Sequence, residues 1–187
     1  SQGRQENGWL ILEPTTSLWL HYTNVSGGKP LWDIANDFQA LLGALERGQM
    51  EYDLGCEDIM ADCASVGRKC LRVGQTRYHT VVLPAKTENL ESRTFQLMRD
   101  FASSGGRIIA LGLPDYVDGE ESAELQAFMQ SDAVIKMQTP QEILSLYRQE
   151  ADLLVQCPEN SHVYHYRCRY EDGQLLFLTN SSLTDET

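Results

Sequence analysis

The sequence TVVLP at positions 80–84 decides the fold class of this chain. Four β-branched or apolar residues in a row, ended by a proline, are typical of a strand buried on both faces of a parallel sheet. A second run of this kind, Arg107–Gly112, follows after a helical pattern that Gly105 and Gly106 end. The helix is indicated by spacings of three and four residues among Leu90, Thr94, Leu97, Met98 and Phe101.

Strand patterns and helical patterns alternate about five times along the chain. This alternation predicts right-handed crossovers and parallel strands with helices on both faces. For residues 1–155 we therefore predict an α/β, flavodoxin-like domain, a three-layer sandwich with a mostly parallel sheet of about five strands. The further strands are predicted at Trp9–Pro14, Tyr52–Leu54 and Val134–Met137, and the further helices at Leu31–Leu45, about Leu125–Met129 and Pro140–Glu150, the last with Thr139 as N-cap.

Residues 156–187 follow a different pattern. From position 164 to 170, aromatic residues alternate with polar ones at the two-residue period of a half-buried strand. Asp172 and Gly173 are a strong turn signal, and Leu175–Leu178 follows as a partner strand. We predict a C-terminal antiparallel β-hairpin appendage, either an edge extension or the start of a following β-sandwich domain, since two strands cannot bury both faces alone.

The charge of the chain excludes some classes of partner. The formal net charge is -12, from 27 acidic and 15 basic residues. Binding to nucleic acid or to anionic lipid depends on Lys and Arg, so we expect no nucleic-acid partner. No apolar run approaches the roughly 20 residues that span a bilayer, so we expect no membrane insertion. The first eight residues are polar, unlike a signal peptide, and we interpret them as an interdomain linker.

The cysteines allow two interpretations. Cys56, Cys63 and Cys70 recur every seven residues, and together with His79 they could form a zinc site. Gly67 interrupts any continuous helix between them, however, so the spacing loses its geometric meaning. The alternative is that these are small, half-buried side chains that pack like other compact apolar groups.

The sequence contains no nucleophile elbow, no phosphate-binding P-loop and no dinucleotide fingerprint. The hydroxyls of Thr15, Thr16 and Ser17 follow the first strand, where a flavodoxin holds its flavin phosphate, but no glycine accompanies them. A stand-alone flavodoxin-like protein for a flavin or another anionic ligand is therefore an alternative hypothesis. A hydrolase with Cys56 as nucleophile is a third, which Glu57 disfavours because an adjacent carboxylate opposes thiolate formation.

Ligands of open α/β sheets collect outside the carboxyl ends of the strands. A sugar could be held there by carboxylates and a hydroxyl, with Trp19 or Trp32 as an apolar platform, or the same edge could pack against another domain. We predict no catalytic residue, no metal ligand and no cofactor. The candidate ligand-binding residues at the strand ends are Glu13, Ser17, Asp53, Glu57 and Asp115.

Five stretches of the chain carry a family resemblance: Trp9–Ser17, Asp37–Leu42, Glu51–Gly55, Leu71–Pro84 and His165–Asn180. Together they resemble the middle part of large bacterial glycoside hydrolases of the α-L-rhamnosidase type. In such enzymes a (β/α)-barrel precedes a domain like the trimerisation domain of β-galactosidases, which is akin to class I glutamine amidotransferases, and β-sandwich modules follow.

The resemblance implies a non-catalytic accessory or structural domain of an enzyme that degrades polysaccharide. The family's catalytic carboxylates lie on the barrel, to which no part of this chain corresponds, so no catalytic residue is carried over. The amidotransferase cysteine is also missing after Thr80–Pro84 and after Ile108–Gly112. The partners implied are the barrel upstream, the β-sandwich downstream and a carbohydrate, and the compartment implied is periplasmic or extracellular.

Overall fold

The computed structural model of the protein describes residues 3–5, 7–23, 28–158 and 162–181. Ser1, Gln2 and Glu6 of the predicted linker, and residues 159–161 and 182–187 of the predicted appendage, lie outside the described residues. The strands are β1 (Trp9–Leu12), β2 (Asp53–Gly55), β3 (Ala64–Gly67), β4 (Cys70–Val73), β5 (Thr76–Tyr78), β6 (Thr80–Leu83), β7 (Asn89–Leu90), β8 (Arg107–Ala110), β9 (Tyr116–Val117), β10 (Glu120–Glu121), β11 (Val134–Lys136), β12 (Val163–Arg169) and β13 (Gln174–Asn180). The helices are α1 (Thr15–Leu20), α2 (Lys29–Arg47), α3 (Glu57–Cys63), α4 (Ser92–Ser103), α5 (Ala123–Gln130) and α6 (Pro140–Glu150).

Five parallel strands form the central sheet, in the order β2-β1-β6-β8-β11. Counted along the chain, this is the order 2-1-3-4-5 of flavodoxins. β1 and β6 lie side by side near its centre, with Trp9 opposite Thr80 and Ile11 opposite Val82. Every residue of these two strands is buried, as the apolar runs predict. The structure confirms the predicted flavodoxin-like α/β fold.

Helices cover both faces of this sheet and make it the middle of three layers. Successive strand residues point to opposite faces, so Leu10 and Leu12 enter one core while Trp9 and Ile11 enter the other. Each fully buried side chain of this size contributes about 2 kcal/mol to folding. The first core includes Met60, Leu97, Met98, Phe101, Leu125 and Met129 from α3, α4 and α5. The second includes Leu41, Leu45, Ile143, Leu144 and Tyr147 from α2 and α6.

Several elements differ from the prediction. The segment before β6 forms a three-stranded antiparallel sheet, β3-β4-β5, and β10-β9-β7 form another small sheet. The hydroxyl-rich segment after β1 is helix α1, with Pro14 at its N-cap position. The predicted strand Tyr52–Leu54 is displaced by one residue, because its pairing with β1 begins at Asp53, opposite Leu10.

α6 begins at the predicted N-cap. The Thr139 hydroxyl accepts the N–H of Glu142, and the Glu142 carboxylate accepts the N–H of Thr139 in return. The N–H groups of Gln138 and Thr139 lower the pKa of Glu142, because they bind its charged form. This capping box fixes where α6 begins after β11, the last strand of the central sheet.

The predicted C-terminal hairpin is also confirmed. β12 and β13 pair antiparallel from Val163–Asn180 to Arg169–Gln174, next to the predicted turn. β12 lies against the domain: the Gln49 side chain donates to the Val163 carbonyl at 2.7 Å, and the backbones of Arg4 and Arg169 form a bridge. All seven residues of β13 are exposed.

Gly112 provides a test of how closely the ends of β6 and β8 approach. A Cβ at this position would overlap the carbonyl oxygen of Ala85, a backbone atom that cannot rotate away. We expect Gly112→Ala to lower the free energy of unfolding by about 3 kcal/mol, as overpacking of a filled site does. Urea unfolding measures this.

The matched control is Gly173→Ala in the hairpin turn. No atom lies within 4 Å of a Cβ there, so its unfolding midpoint should stay unchanged. Equal midpoints for Gly112→Ala and the parent chain would contradict the close approach of the two strands.

Candidate functional site

The structure distributes the five predicted site residues over both edges of the sheet. Ser17 and Glu57 meet at the carboxyl edge, and Glu13 ends β1 there, its N–H bonded to the Gly55 carbonyl. Asp115 lies in the loop after β8, exposed, and its N–H binds the Glu88 carbonyl. The placement of Asp53 at the carboxyl edge is wrong, because it is the first residue of β2.

Asp53 belongs to a structural contact at the opposite, amino edge. Its carboxylate accepts a hydrogen bond from the Asn7 amide at 2.6 Å and one from the Tyr78 hydroxyl at 2.8 Å. Burial, followed by the bond to Asp53, raises the pKa of Tyr78. Asp53 therefore joins the N-terminal segment to the end of β5 and is not available to a ligand at the carboxyl edge.

The carboxyl edge is filled by the protein's own polar groups. The Ser17 hydroxyl is fully buried and accepts the N–H groups of Glu88 and Asn89 at 2.9 and 3.1 Å. The Glu57 carboxylate, 3% exposed, accepts the Thr16 hydroxyl at 2.7 Å and the N–H of Glu91 at 2.8 Å. These bonds tie α1, α3 and the segment around β7 into one buried polar network.

This network occupies the place where a flavodoxin holds phosphate. The Thr16 and Ser17 hydroxyls after β1 are engaged, and the Glu57 carboxylate lies beside them in place of an anionic ligand. Partial burial and the negative charges of Glu57, Asp58 and Asp118 raise the pKa of Glu91, so several carboxylates are close together at this edge. Their charge repels a phosphate group.

Among the described residues, the cysteines form no metal-binding group. Cys56 precedes α3, Cys63 ends that helix and Cys70 begins β4, and all three are free thiols. In residues 3–5, 7–23, 28–158 and 162–181, no three His, Cys, Asp or Glu side chains are grouped as a metal ion requires. The seven-residue spacing reflects a helix followed by a strand.

The main cavity lies at the amino edge of the sheet, where no site residue was predicted. Its volume is about 940 Å³, within the range of small-molecule sites. The walls are the N-terminal segment, the β4–β5 hairpin, the end of α6 and one side of β12. The charged side chains that line it are Arg4, Glu51, Arg72, Arg77, Glu150, Asp152, Arg167 and Arg169.

One wall of this cavity is an ion-pair network that attaches β12. Arg167 binds both oxygens of the Glu51 carboxylate, at 2.9 and 2.5 Å, and reaches Asp152 at 2.9 Å. Asp152 also pairs with Arg169 at 3.2 Å. Burial alone would raise the pKa of Glu51, but the bonds from His165 and Arg167 outweigh it and lower that pKa.

The floor of the cavity joins β1, β8 and α6. The Arg107 guanidinium stacks over the Trp9 ring at 5.0 Å and forms two bonds with the Glu150 carboxylate, at 2.6 and 2.5 Å. The His79 and Trp9 rings form a T-shaped, edge-to-face contact. Partial burial and the charge of Arg107 lower the pKa of His79, so its ring is neutral at pH 7.

The fold and the two edges define the class of this protein as a flavodoxin-like α/β domain with a filled carboxyl edge and an open amino edge. No protein-family model matches the chain, and no curated protein matches it in sequence. Among the described residues, no helix combines the length and the apolar character that crossing a membrane requires.

The lowered pKa of Glu51 predicts how its contribution to stability depends on pH. Its folded-state pKa lies below 4.5, so the stabilisation is fully present above pH 4.5 and is lost as the pH falls through the folded-state pKa. Glu51→Gln should lower the free energy of unfolding by about 2 kcal/mol at pH 7, because the bonds to Arg167 lose their charge. Urea unfolding of Glu51→Gln and of the parent chain, at pH 7 and at pH 3, measures this difference in the free energy of unfolding.

The control is Glu120→Gln on β10, where the side chain is exposed. It should change the free energy of unfolding by less than about 0.5 kcal/mol at either pH. A cost of Glu51→Gln that is as large at pH 3 as at pH 7 would show that packing, and not ionisation, accounts for it.

Proposed function

We propose that this chain is a non-catalytic structural domain that packs against neighbouring domains of a larger glycoside hydrolase of the α-L-rhamnosidase type. The observation that carries this proposal is β13, a strand whose composition suits the interior of a protein and whose residues are all exposed. The filled carboxyl edge supports the non-catalytic part of the proposal.

β13 has the composition of a strand that is buried on both faces. Leu175, Leu176, Phe177 and Leu178 are 40–59% exposed, although such a continuous apolar run is typical of strands buried on both sides. In the described part of the chain β13 pairs with β12 alone, so no other described strand lies along its outer edge. A free apolar edge of this kind is a template for pairing with another strand.

The family resemblance supplies the identity of the neighbours. Enzymes of the resembled type have β-sandwich modules after the corresponding domain, and β13 would extend or cover a sheet of such a module. The catalytic carboxylates would then reside on the barrel, while this domain positions the barrel relative to the modules that follow and helps to shape the cleft for carbohydrate. If the resemblance holds, the parent enzyme works in the periplasm or outside the cell.

A flavin-binding protein is the second candidate, and the strand order favours it. The polar network at the carboxyl edge weighs against it, because Glu57 stands where the flavin phosphate would bind. Titration with flavin mononucleotide separates the two candidates, since binding of the flavin would require this network to open.

The isolated chain is expected neither to hydrolyse aryl α-L-rhamnosides or β-galactosides nor to bind flavin mononucleotide. The reason is that the hydroxyls and the carboxylate of the carboxyl edge are engaged in bonds within the protein. Chromogenic assays and fluorescence titration measure both. Turnover abolished by Glu57→Gln in a chain that stays folded would overturn the non-catalytic proposal.

The packing role predicts that β13 makes the isolated chain self-associate. Phe177→Lys places a charge on this strand and should weaken association by about tenfold in sedimentation equilibrium. The control is Ile59→Lys on α3, a single apolar side chain with a similar exposed fraction of 57%. Equal association of both variants and the parent chain would contradict an adhesive role for β13.

A further inference from the structure

Arginines outnumber carboxylates in the lining of the amino-edge cavity, counted over the residues that the structure describes. Its three carboxylates are each paired with arginine: Glu51 with Arg167, Asp152 with Arg167 and Arg169, and Glu150 with Arg107. Among the described residues, no carboxylate lies within ion-pairing distance of the remaining three arginines of the lining, which are Arg4, Arg72 and Arg77.

The hydrogen bonds of these arginines are made to neutral groups. Arg4 donates to the Gln75 side chain at 2.8 Å, and Arg72 donates to the Gly74 carbonyl at 3.0 Å. Such acceptors leave most of the five donors of each guanidinium unused. The free donors belong to side chains that line the same cavity, so they are available to one ligand.

The β4–β5 hairpin places two of the three arginines directly opposite each other. Arg72 pairs with Arg77 in the strand register, which puts both side chains on one face of the hairpin. Like charges at such a position are destabilising in the absence of a counter-charge. Position 74 has φ = +57°, which suits the glycine found there and fixes the two-residue turn that sets this register.

We propose that this cavity binds a small molecule with an oxyanion group, a carboxylate, sulfate or phosphate, held between Arg72 and Arg77 and reached by Arg4. Guanidinium groups bind all three oxyanions through paired N–H donors, and the charge-assisted bonds replace the repulsion between the two arginines. The polar side chains of Gln5, Gln75 and Thr76 line the same space and can bind the rest of the molecule.

The size and charge of the cavity narrow the class of ligand. About 940 Å³ is far larger than an inorganic ion and suits a molecule the size of a drug or a disaccharide. A long polyanion is disfavoured, because the net charge of -12 repels it everywhere outside this cavity. The inference is independent of the proposed packing role, which depends on β13.

The test is calorimetric titration of the full chain with citrate, sulfate and inorganic phosphate, which represent the three oxyanion classes. We expect at least one of them to bind, and Arg72→Gln and Arg77→Gln each to weaken that binding by about tenfold. The probe that binds most tightly identifies the oxyanion. The affinity should fall as the salt concentration rises.

The matched control is Arg68→Gln, which removes the same charge from the turn between β3 and β4, outside the cavity lining. It should leave the affinity within about twofold. In the absence of probe, Arg72→Gln should raise the melting temperature and Arg68→Gln should not, because only the former relieves the repulsion with Arg77.

Two results would overturn the proposal. The first is that none of the three probes binds at concentrations up to about 10 mM, at which a site with a millimolar Kd is nearly saturated. The second is that Arg68→Gln weakens binding as much as the cavity variants do, which would reduce the effect to net charge. Circular dichroism of each variant ensures that a loss of binding is not a loss of folding.

Discussion

The rest of the structure depends on one constraint, the complete burial of β1 and β6 at the centre of a parallel sheet. Neither strand has a polar face, so helices must cover both sides, and each crossover has to carry the chain from the carboxyl edge back to the amino edge. This divides the core into two layers and leaves the two ends of the strands as the places where loops meet. The functional properties of the protein are therefore properties of these two edges and of the appended hairpin.

The carboxyl edge and the amino edge of the central sheet differ in structure. At the carboxyl edge, the short β7, β9 and β10 and the helix α1 fold over the strand ends, and Ser17, Glu57 and their backbone partners satisfy one another. At the amino edge, four segments distant in the sequence line an open cavity rich in arginine. The general tendency of open α/β sheets to bind ligands at the carboxyl ends thus points to the edge that this protein has closed.

The central sheet could be predicted from the sequence because its signals are local. The run Thr80–Leu83 and the cap at Thr139 are legible without any tertiary information. The meeting of Ser17 and Glu57 was predictable to the extent that both follow neighbouring strands. Asp53 was misplaced because the strand was predicted to begin at Tyr52, whereas the pairing with β1 makes Asp53 the first residue of β2. The closing of the carboxyl edge was not predictable, since it depends on backbone groups of Glu88, Asn89 and Glu91.

The amino-edge cavity could not be predicted from the sequence for a different reason. Its members come from the N-terminal segment, the β4–β5 hairpin and β12, and their sequence separations exceed any local pattern. One signal was available: if Gly74 and Gln75 form a two-residue turn, Arg72 and Arg77 must face each other.

The way in which β12 is attached divides the molecule into two parts that respond to different solution conditions. The three layers cohere through apolar surface, whose contribution weakens on cooling and hardly changes with dissolved ions. The attachment of the hairpin consists largely of charged groups such as Arg167 and Glu51, which acid titrates and which electrolytes screen where solvent reaches them. We therefore expect acid to loosen the contact between the hairpin and the domain before it affects the apolar layers.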